Sequence, residues 1–328
     1  MTTLKTILTN ATAIAVASAF VFPVLLSGPA KAFPDGPIEF VIPFGAGGGA
    51  DIEGRVLAKE MSKVLGVPVV PINKPGAGGA VTYTYVKNSK PNGNTIAWSS
   101  TSILTTTNIG NVPYGYDAFD HIGRVEYQPM PFAVKGDAPY KTLKAFAAAC
   151  KKAPGTLKVA NSSAGSATHL AAIALMDAIG CKAIHLPAGV TRRNATVLSG
   201  ESNAMIAPLT GAVNLAKAKK IRVLAMPSEK RNAVMPNVPT AKELGFDAEL
   251  DLFRSLSVAK GTPIGVKAKL AGAMTAAANS KAFTDLAEKN GFTIAPMQVG
   301  QFEAYLKQEN AKVVKIMKAA GLYQSKMK

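Results

Sequence analysis

Two short segments of this chain combine residue types suited to holding an anion. The first, Phe44-Gly45-Ala46-Gly47-Gly48-Gly49-Ala50-Asp51, follows the apolar run Ile38–Pro43 and precedes a helical pattern. A strand-to-helix turn of this kind presents amide hydrogens that no helical carbonyl can reach, at the positive end of the helix dipole. Its glycines let a ligand approach the backbone, and they equally satisfy a tight turn that holds nothing. The second, Asn161-Ser162-Ser163-Ala164-Gly165-Ser166-Ala167-Thr168-His169, also lies between an apolar run and a helical pattern. Its hydroxyls can donate to an anion or cap the helix.

Other chemistries have less support. Gly45 to Ala50 fits the loose dinucleotide fingerprint, but the next apolar run ends in Asn73-Lys74, where a ribose-binding acid belongs. No Gly-Lys-Ser/Thr follows the glycines, which excludes a Walker loop. His121, His169 and His185 are the only histidines, and none sits in a His/Cys/Asp cluster with metal spacing. Packed, hydrogen-bonded histidines are the simpler expectation, and no cofactor or metal is expected. A Ser-His-Asp set assembled only by the fold stays open, and with it an exported hydrolase.

The elements that must position these loops alternate. Strand-like runs at Ile38–Pro43, Val67–Ile72, Thr95–Ser99, Phe132–Val134, Leu157–Asn161, Ala183–Pro187, Ala204–Pro208, Arg222–Met226 and Ser255–Val258 are separated by helical patterns. That is the signature of an α/β fold with open sheets. Ile52, Val56, Met61, Val64 and Leu65 recur at helical spacing after Asp51, with Gly66 as the stop. From Val266 on, the chain reads as mostly helical.

The N-terminus reads as an export signal: Lys5, an apolar stretch from Ala13 to Leu26, and Ala30-Lys31-Ala32 with small residues at the cleavage positions. Cleavage after Ala32 leaves Phe33 first, and no Cys follows that would carry a lipid anchor. A periplasmic location is expected. About 300 remaining residues exceed what one core usually serves, so two lobes are expected. With 48% hydrophobic and 17% charged residues the chain is not globally disordered, and a formal charge of +17 favours anionic partners. Nucleic acid is not expected, because the basic residues are scattered and no recognition motif appears. Cys150 and Cys181 are the only cysteines. An oxidising compartment permits a bridge between them, and two buried thiols are the alternative.

Six ordered motifs resemble one family. Ile38 to Phe44 with Gly47-Gly48-Gly49-Ala50-Asp51, then Asn73-Lys74-Pro75-Gly76-Ala77-Gly78-Gly79, Pro91-Asn92-Gly93, Gly165 to Leu170, His185-Leu186-Pro187 and Pro236-Asn237-Val238-Pro239-Thr240 are similar in order and spacing to the Bug-type receptors of tripartite tricarboxylate transporters. The resemblance implies a type II periplasmic-binding-protein fold: two α/β lobes joined by a two-crossover hinge, with residues 33–131 and 251–328 in lobe one and 132–250 in lobe two. It implies a monomer that captures a small organic carboxylate, di- or polycarboxylate or aromatic, and delivers it to a two-subunit membrane permease without chemistry. A membrane sensor kinase is the alternative reader. By the same likeness, Phe44, Gly47, Gly48, Ala50 and Asp51 on one lobe and Ser163, Ala164, Gly165, Ser166 and Thr168 on the other contact the ligand, with Ser100 and Thr101 at the floor. The chain departs from the family pattern at Ala188-Gly189-Val190-Thr191-Arg192-Arg193 and at Ala207, where an acid is common. Ala188 and Ala207 are expected to line the site, Arg192 or Arg193 to pair with a second carboxylate, and Arg254 to be a further candidate. The missing acid argues against a ligand bearing an amine.

Overall fold

The structure, a computed structural model, describes residues 33–327. The export signal read at residues 1–32 lies outside the described residues. In chain order the elements are β1 Ile38–Ile42, α1 Gly49–Leu65, β2 Val69–Asn73, α2 Ala80–Lys87, β3 Thr95–Ser100, α3 Ser102–Asn108, β4 Phe119–Gln128 and β5 Phe132–Lys135. Then follow α4 Leu143–Lys152, β6 Lys158–Asn161, α5 Ala167–Ala178, β7 Ile184–Pro187, α6 Val190–Ser199, β8 Ala204–Ile206, α7 Leu209–Lys217 and β9 Ile221–Ala225. The chain ends with β10 Leu252–Ala259, α8 Ile264–Ala278, α9 Lys281–Asn290, β11 Thr293–Met297 and α10 Val299–Ala319.

These elements build two sheets, ordered β11-β4-β10-β3-β1-β2 and β7-β6-β8-β5-β9. In the first, β1 runs parallel to β2 and β3, and β10 is antiparallel to β3 and β4. In the second, β6 runs parallel to β7 and β8, and β5 is antiparallel to β8 and β9. The chain passes from the first sheet to the second between Gln128 and Phe132 and returns between Ala225 and Leu252. This is the two-lobe, two-crossover α/β architecture. One apolar cluster includes Phe132 of β5, Phe253 of β10 and Phe302 of α10, so the core continues through the crossing.

Local chemistry explains why the loops stand where they do. The near-continuous apolar run of β1 is buried along most of its length, as a parallel strand covered on both faces must be. Helix α1 begins at Gly49, three residues before Ile52 where the helical periodicity starts, and stops at Gly66, whose φ of +73° is a left-handed cap. A side chain at Gly54 would place its Cβ 3.0 to 3.2 Å from Trp98, Phe40 and Ile42, so α1 lies directly on the sheet. Trp98 Nε1 then donates to the Ala50 carbonyl at 3.0 Å, tying the first turn of α1 to β3.

Two sequence expectations change, and one open alternative is resolved. β4 is a ten-residue strand between β11 and β10 that the apolar pattern does not reveal, and β11 interrupts the C-terminal region read as helical. Cys150 and Cys181 are bonded, which joins the last turn of α4 to the third residue beyond α5. No helix among the described residues is long and apolar enough to cross a membrane.

Candidate functional site

In the lobe-one turn, the Asp51 carboxylate organises the loop from inside the helix. Oδ2 accepts the Gly47 amide at 3.0 Å, and Oδ1 accepts from Arg55 Nε at 2.8 Å and Asn73 Nδ2 at 2.9 Å. The same Asn73 nitrogen donates to the Phe44 carbonyl at 2.9 Å. Burial pushes the Asp51 pKa up, but the bonds from Arg55, Gly47 and Asn73 outweigh it and hold the carboxyl below its ordinary value. Asp51, expected to contact the ligand, is therefore a positioning residue, and it also occupies the Gly47 amide. The first-turn amides of Gly49 and Ala50 remain, beyond reach of any helical carbonyl.

The lobe-two turn is built from hydroxyls. Ser166 caps α5: its Oγ accepts the His169 amide at 3.3 Å and donates to the Ser163 carbonyl at 2.8 Å. Thr168 Oγ1 lies 3.0 Å from Ser166 Oγ and accepts the Ser162 amide at 2.9 Å. Gly165, at φ +72°, donates to His169 Nδ1 at 3.2 Å. Burial first, then neighbouring His185, lowers the His169 pKa to about 4, so the ring is neutral and Nδ1 stays an acceptor.

The two turns meet. Phe44, Gly49 and Ala50 from one lobe and Ser162, Ser166 and Thr168 from the other line a single cavity of about 20 Å³. That volume holds about one water molecule. The lobes also touch beside it: a Cβ at Gly78 would lie 2.9 Å from the Ala164 carbonyl, and the Thr105 hydroxyl donates to the Gly165 carbonyl. The lobes are closed on one another.

Two buried arginines line the same cavity, one from each lobe. Arg193 of α6 is 1% exposed, donates through Nη1 to Ser162 Oγ at 2.9 Å and through Nε to Asn194 Oδ1 at 3.1 Å, and leaves Nη2 without a partner. Burial lowers its pKa to about 10. Arg254 of β10, also 1% exposed, donates through Nε to Glu53 Oε2 at 2.9 Å, and its Nη1 has no partner. Glu126 Oε1 lies 3.7 Å from Arg254 Nε. Burial, then the Glu53 carboxylate, push Glu126 well above the ordinary carboxylate range despite Arg254. Gln128 joins this network across the lobes: Nε2 donates to Glu53 Oε1 at 2.7 Å, while Oε1 accepts the Thr210 amide at 3.1 Å.

The structure redistributes the nominated residues. Arg192 is not in the cleft; its side chain is 68% exposed and pairs with Glu201 at 3.0 Å. Neighbouring Arg193 faces inward because adjacent helical positions lie about 100° apart. Ala207 packs in the lobe-two core with Ala133, Ala160 and Val197, and Pro208 after it lines the cavity. Ser100 and Thr101 are fully buried supports: Ser100 Oγ bonds Ser102 Oγ at 2.8 Å, and Thr101 Oγ1 accepts the Phe253 amide at 3.1 Å. Ala188 is half-buried, its amide donating to the Asn161 carbonyl at 3.2 Å, and Ala164 is exposed at the lobe contact. His121 bonds Ser257 Oγ at 3.0 Å and the Tyr116 carbonyl at 2.9 Å, and both side chains lie buried outside the cavity lining. A wider groove of about 920 Å³ runs along Ser228 to Val234 and Gly291 to Ile294, away from both turns. The narrow cavity is the candidate site, because the N-termini of α1 and α5, the hydroxyls of Ser162, Ser166 and Thr168 and two guanidinium groups converge there.

Comparison with known proteins agrees with this geometry. The model of the "tripartite tricarboxylate transporter family receptor" matches residues 54–322. A Cupriavidus necator protein, the UPF0065 protein in the gbd 5' region, is 31% identical over 296 residues, 88% of this chain and 89% of the relative. The periplasmic binding protein BugD superposes with a TM-score of 0.85 at 28% identity, over 89% of this chain and 99% of that one. MatC from Rhodopseudomonas palustris with bound malate shares the fold, with a TM-score of 0.82 at 23% identity over 87% of this chain and 99% of that one.

Proposed function

The chain belongs to the tripartite tricarboxylate transporter receptor family, and on that premise we propose that it is an exported, monomeric receptor that grips a small organic carboxylate between its two turns and releases it unchanged to a two-subunit membrane permease. One observation carries the reading: a strand-to-helix turn from each lobe lines the same cavity. The first-turn amides of α1 and the hydroxyls of the α5 turn are the donors, and the arginines supply positive charge. The lobes are taken as 33–131 with 251–328, and 132–250, since the chain changes sheet on either side of β5 and β9. A cavity of about 20 Å³ admits no organic acid, so the ligand enters an opened cleft and the contacts made by both lobes favour closure. MatC, with its bound malate, is a relative in fold whose ligand is of the class proposed.

A thermal-shift screen of the exported protein against organic acids, followed by calorimetry, tests this. Only ligands that prefer the folded state raise the midpoint. At least one carboxylate is expected to do so with a one-to-one stoichiometry; turnover of an ester by the purified protein would point to a hydrolase instead.

A further inference from the structure

We propose that the receptor takes up a proton together with its ligand: closure of the lobes seals Glu126 into the core as a neutral acid, so affinity falls as pH rises. The inference rests on the receptor reading and concerns groups behind the cavity wall rather than the donors that would touch the ligand.

The count of charges carries the argument. Glu53 of α1 and Glu126 of β4 are 0% exposed and Arg254 of β10 is 1% exposed, so one guanidinium serves two buried carboxyls. A carboxylate without its own counter-charge in such a place is far costlier than the neutral acid, and protonation is the ordinary way out. Hydrogen bonding decides which acid takes the proton. Glu53 accepts Gln128 Nε2 on one oxygen at 2.7 Å and Arg254 Nε on the other at 2.9 Å. Glu126 shares the same Gln128 nitrogen at 3.3 Å, stands 3.7 Å from Arg254, and keeps Oε2 buried without a partner. The remaining charges nearby are engaged elsewhere. Arg124 of β4 donates to the Ala295 carbonyl at 2.9 Å, lies 4.9 Å from the centre of the Tyr305 ring, and enters no ion pair among the described residues. Lys267 of α8 pairs with Asp120, Glu309 of α10 pairs with Lys312, and Arg193 across the cavity bonds Ser162 and Asn194. β11, on the other side of β4, has no titratable side chain from Thr293 to Met297.

Lobe two is the cover over this group. Gln128 Oε1 accepts the amide of Thr210, in the first turn of α7, at 3.1 Å. A Cβ at Gly49 would lie 3.3 Å from both Glu53 Oε1 and the Pro208 side chain, so Pro208 closes over Glu53. Parting the lobes breaks the Gln128 bond and admits water to the carboxyls, which returns Glu126 toward its ordinary range. Between that range and the raised value produced by burial and Glu53, the closed form holds a proton that the open form has released. A ligand that favours the closed form therefore binds with a proton, and by linkage a lower pH strengthens its binding.

Calorimetry on the exported protein with malate, succinate, adipate and benzoate as probes, in PIPES and in imidazole buffer between pH 6 and pH 8, counts the protons, because the two buffers differ in the heat of giving one up. For an acid that binds, about 0.5 to 1 proton should be taken up, and affinity should fall by up to about tenfold per pH unit. In Glu126→Gln, which keeps the shape of the neutral acid, uptake should drop to near zero and affinity should become flat with pH. A glutamate with only a structural role would change affinity without changing the proton count. Should the variant not fold, the infrared difference spectrum of the parent with and without the bound acid decides: a protonated-carboxyl band that shifts on isotopic labelling of the glutamates is expected, and its absence would overturn the inference. Equal heats in the two buffers, or uptake that survives Glu126→Gln, would also overturn it while the receptor reading stands. Silence from all four acids would remove the receptor reading itself, and this inference with it.

Discussion

Arg254 enters the cleft with Glu53 at 2.9 Å and a second carboxyl, Glu126, at 3.7 Å, whereas Arg193 enters it with only a serine hydroxyl and an asparagine oxygen for company. Both are 1% exposed. Equal burial with unequal pairing separates two tasks that look alike in a list of lining residues. Folding balances the charge of the lobe-one arginine, although its Nη1 keeps no partner. The lobe-two arginine is left by folding with neutral partners and a buried Nη2 that has none, and in the proposed receptor a ligand would supply the missing acceptor.

Removing each arginine in turn should therefore act on different quantities. Arg254→Met strands Glu53 and Glu126 together in the core, and breaking a buried pair in this way costs about 3 to 5 kcal/mol. Urea unfolding should show that loss, while Arg193→Met should show none. Comparable losses from the two substitutions would mean that Arg193 is as structural as Arg254, and the contrast would be gone.

Asp251 sharpens the point with an acid outside the cleft. It directly precedes β10, its Oδ1 is buried without a partner, and burial, then Glu249, Glu309 and Glu229, raise its pKa to about 7 against the opposing pull of Lys312. Between about pH 4 and pH 7 the folded state binds a proton that the unfolded chain has released. Stability from this group is thus fully present below about pH 4 and is lost as pH rises through about 7. Asp251→Asn removes the dependence, so the variant should be more stable than the parent at pH 8 by about 2 to 4 kcal/mol, at about 1.4 kcal/mol per unit with allowance for partial exposure. Denaturation midpoints of both proteins at pH 5 and pH 8 check it. A gap that fails to widen with pH would show that uncompensated charge is not what these positions have in common.

The sequence was most readable where chemistry is local. Gly and hydroxyl residues at strand ends announced both turns, and their shared cavity followed from the family's fold. The inward arginine was readable only to within one residue, since the phase of α6 depends on where it starts, and Gly189 before it gives no side-chain cap to mark that start. Glu53 left a signal that passed unused: it falls with Ala50, Leu57 and Met61 on the buried face of α1, an acid at a position meant for an apolar residue. Glu126 and Gln128 left less. Their strand, β4, alternates no apolar stripe, because charged and amide side chains occupy buried positions where partners from α1 and β10 satisfy them. Such partners are distant in sequence, so neither periodicity nor spacing can pair them. The apolar run at Ser255–Val258 starts three residues short of β10, whose first residues Leu252, Phe253 and Arg254 are also buried.

The smallest expected effect on stability separates the two turns themselves. Lobe one fixes its turn with a carboxylate held by three bonds, and lobe two uses the hydroxyls of Ser166 and Thr168. Replacing both by Ala removes a cap worth about 1 kcal/mol and the support of the Ser162 amide, but the His169 amide keeps the Ser166 carbonyl at 3.0 Å. The helix therefore persists, and melting should fall by only about 2 to 4 °C for each kcal/mol lost. Ligand affinity should fall more steeply, because the same hydroxyls line the cavity and the Ser162 they help to place is the partner of Arg193. Calorimetry with a bound carboxylate, set beside the melting curve, reads both at once. If affinity and melting temperature decline only in proportion, the lobe-two hydroxyls serve the helix alone, and recognition on that side belongs to Arg193 without them.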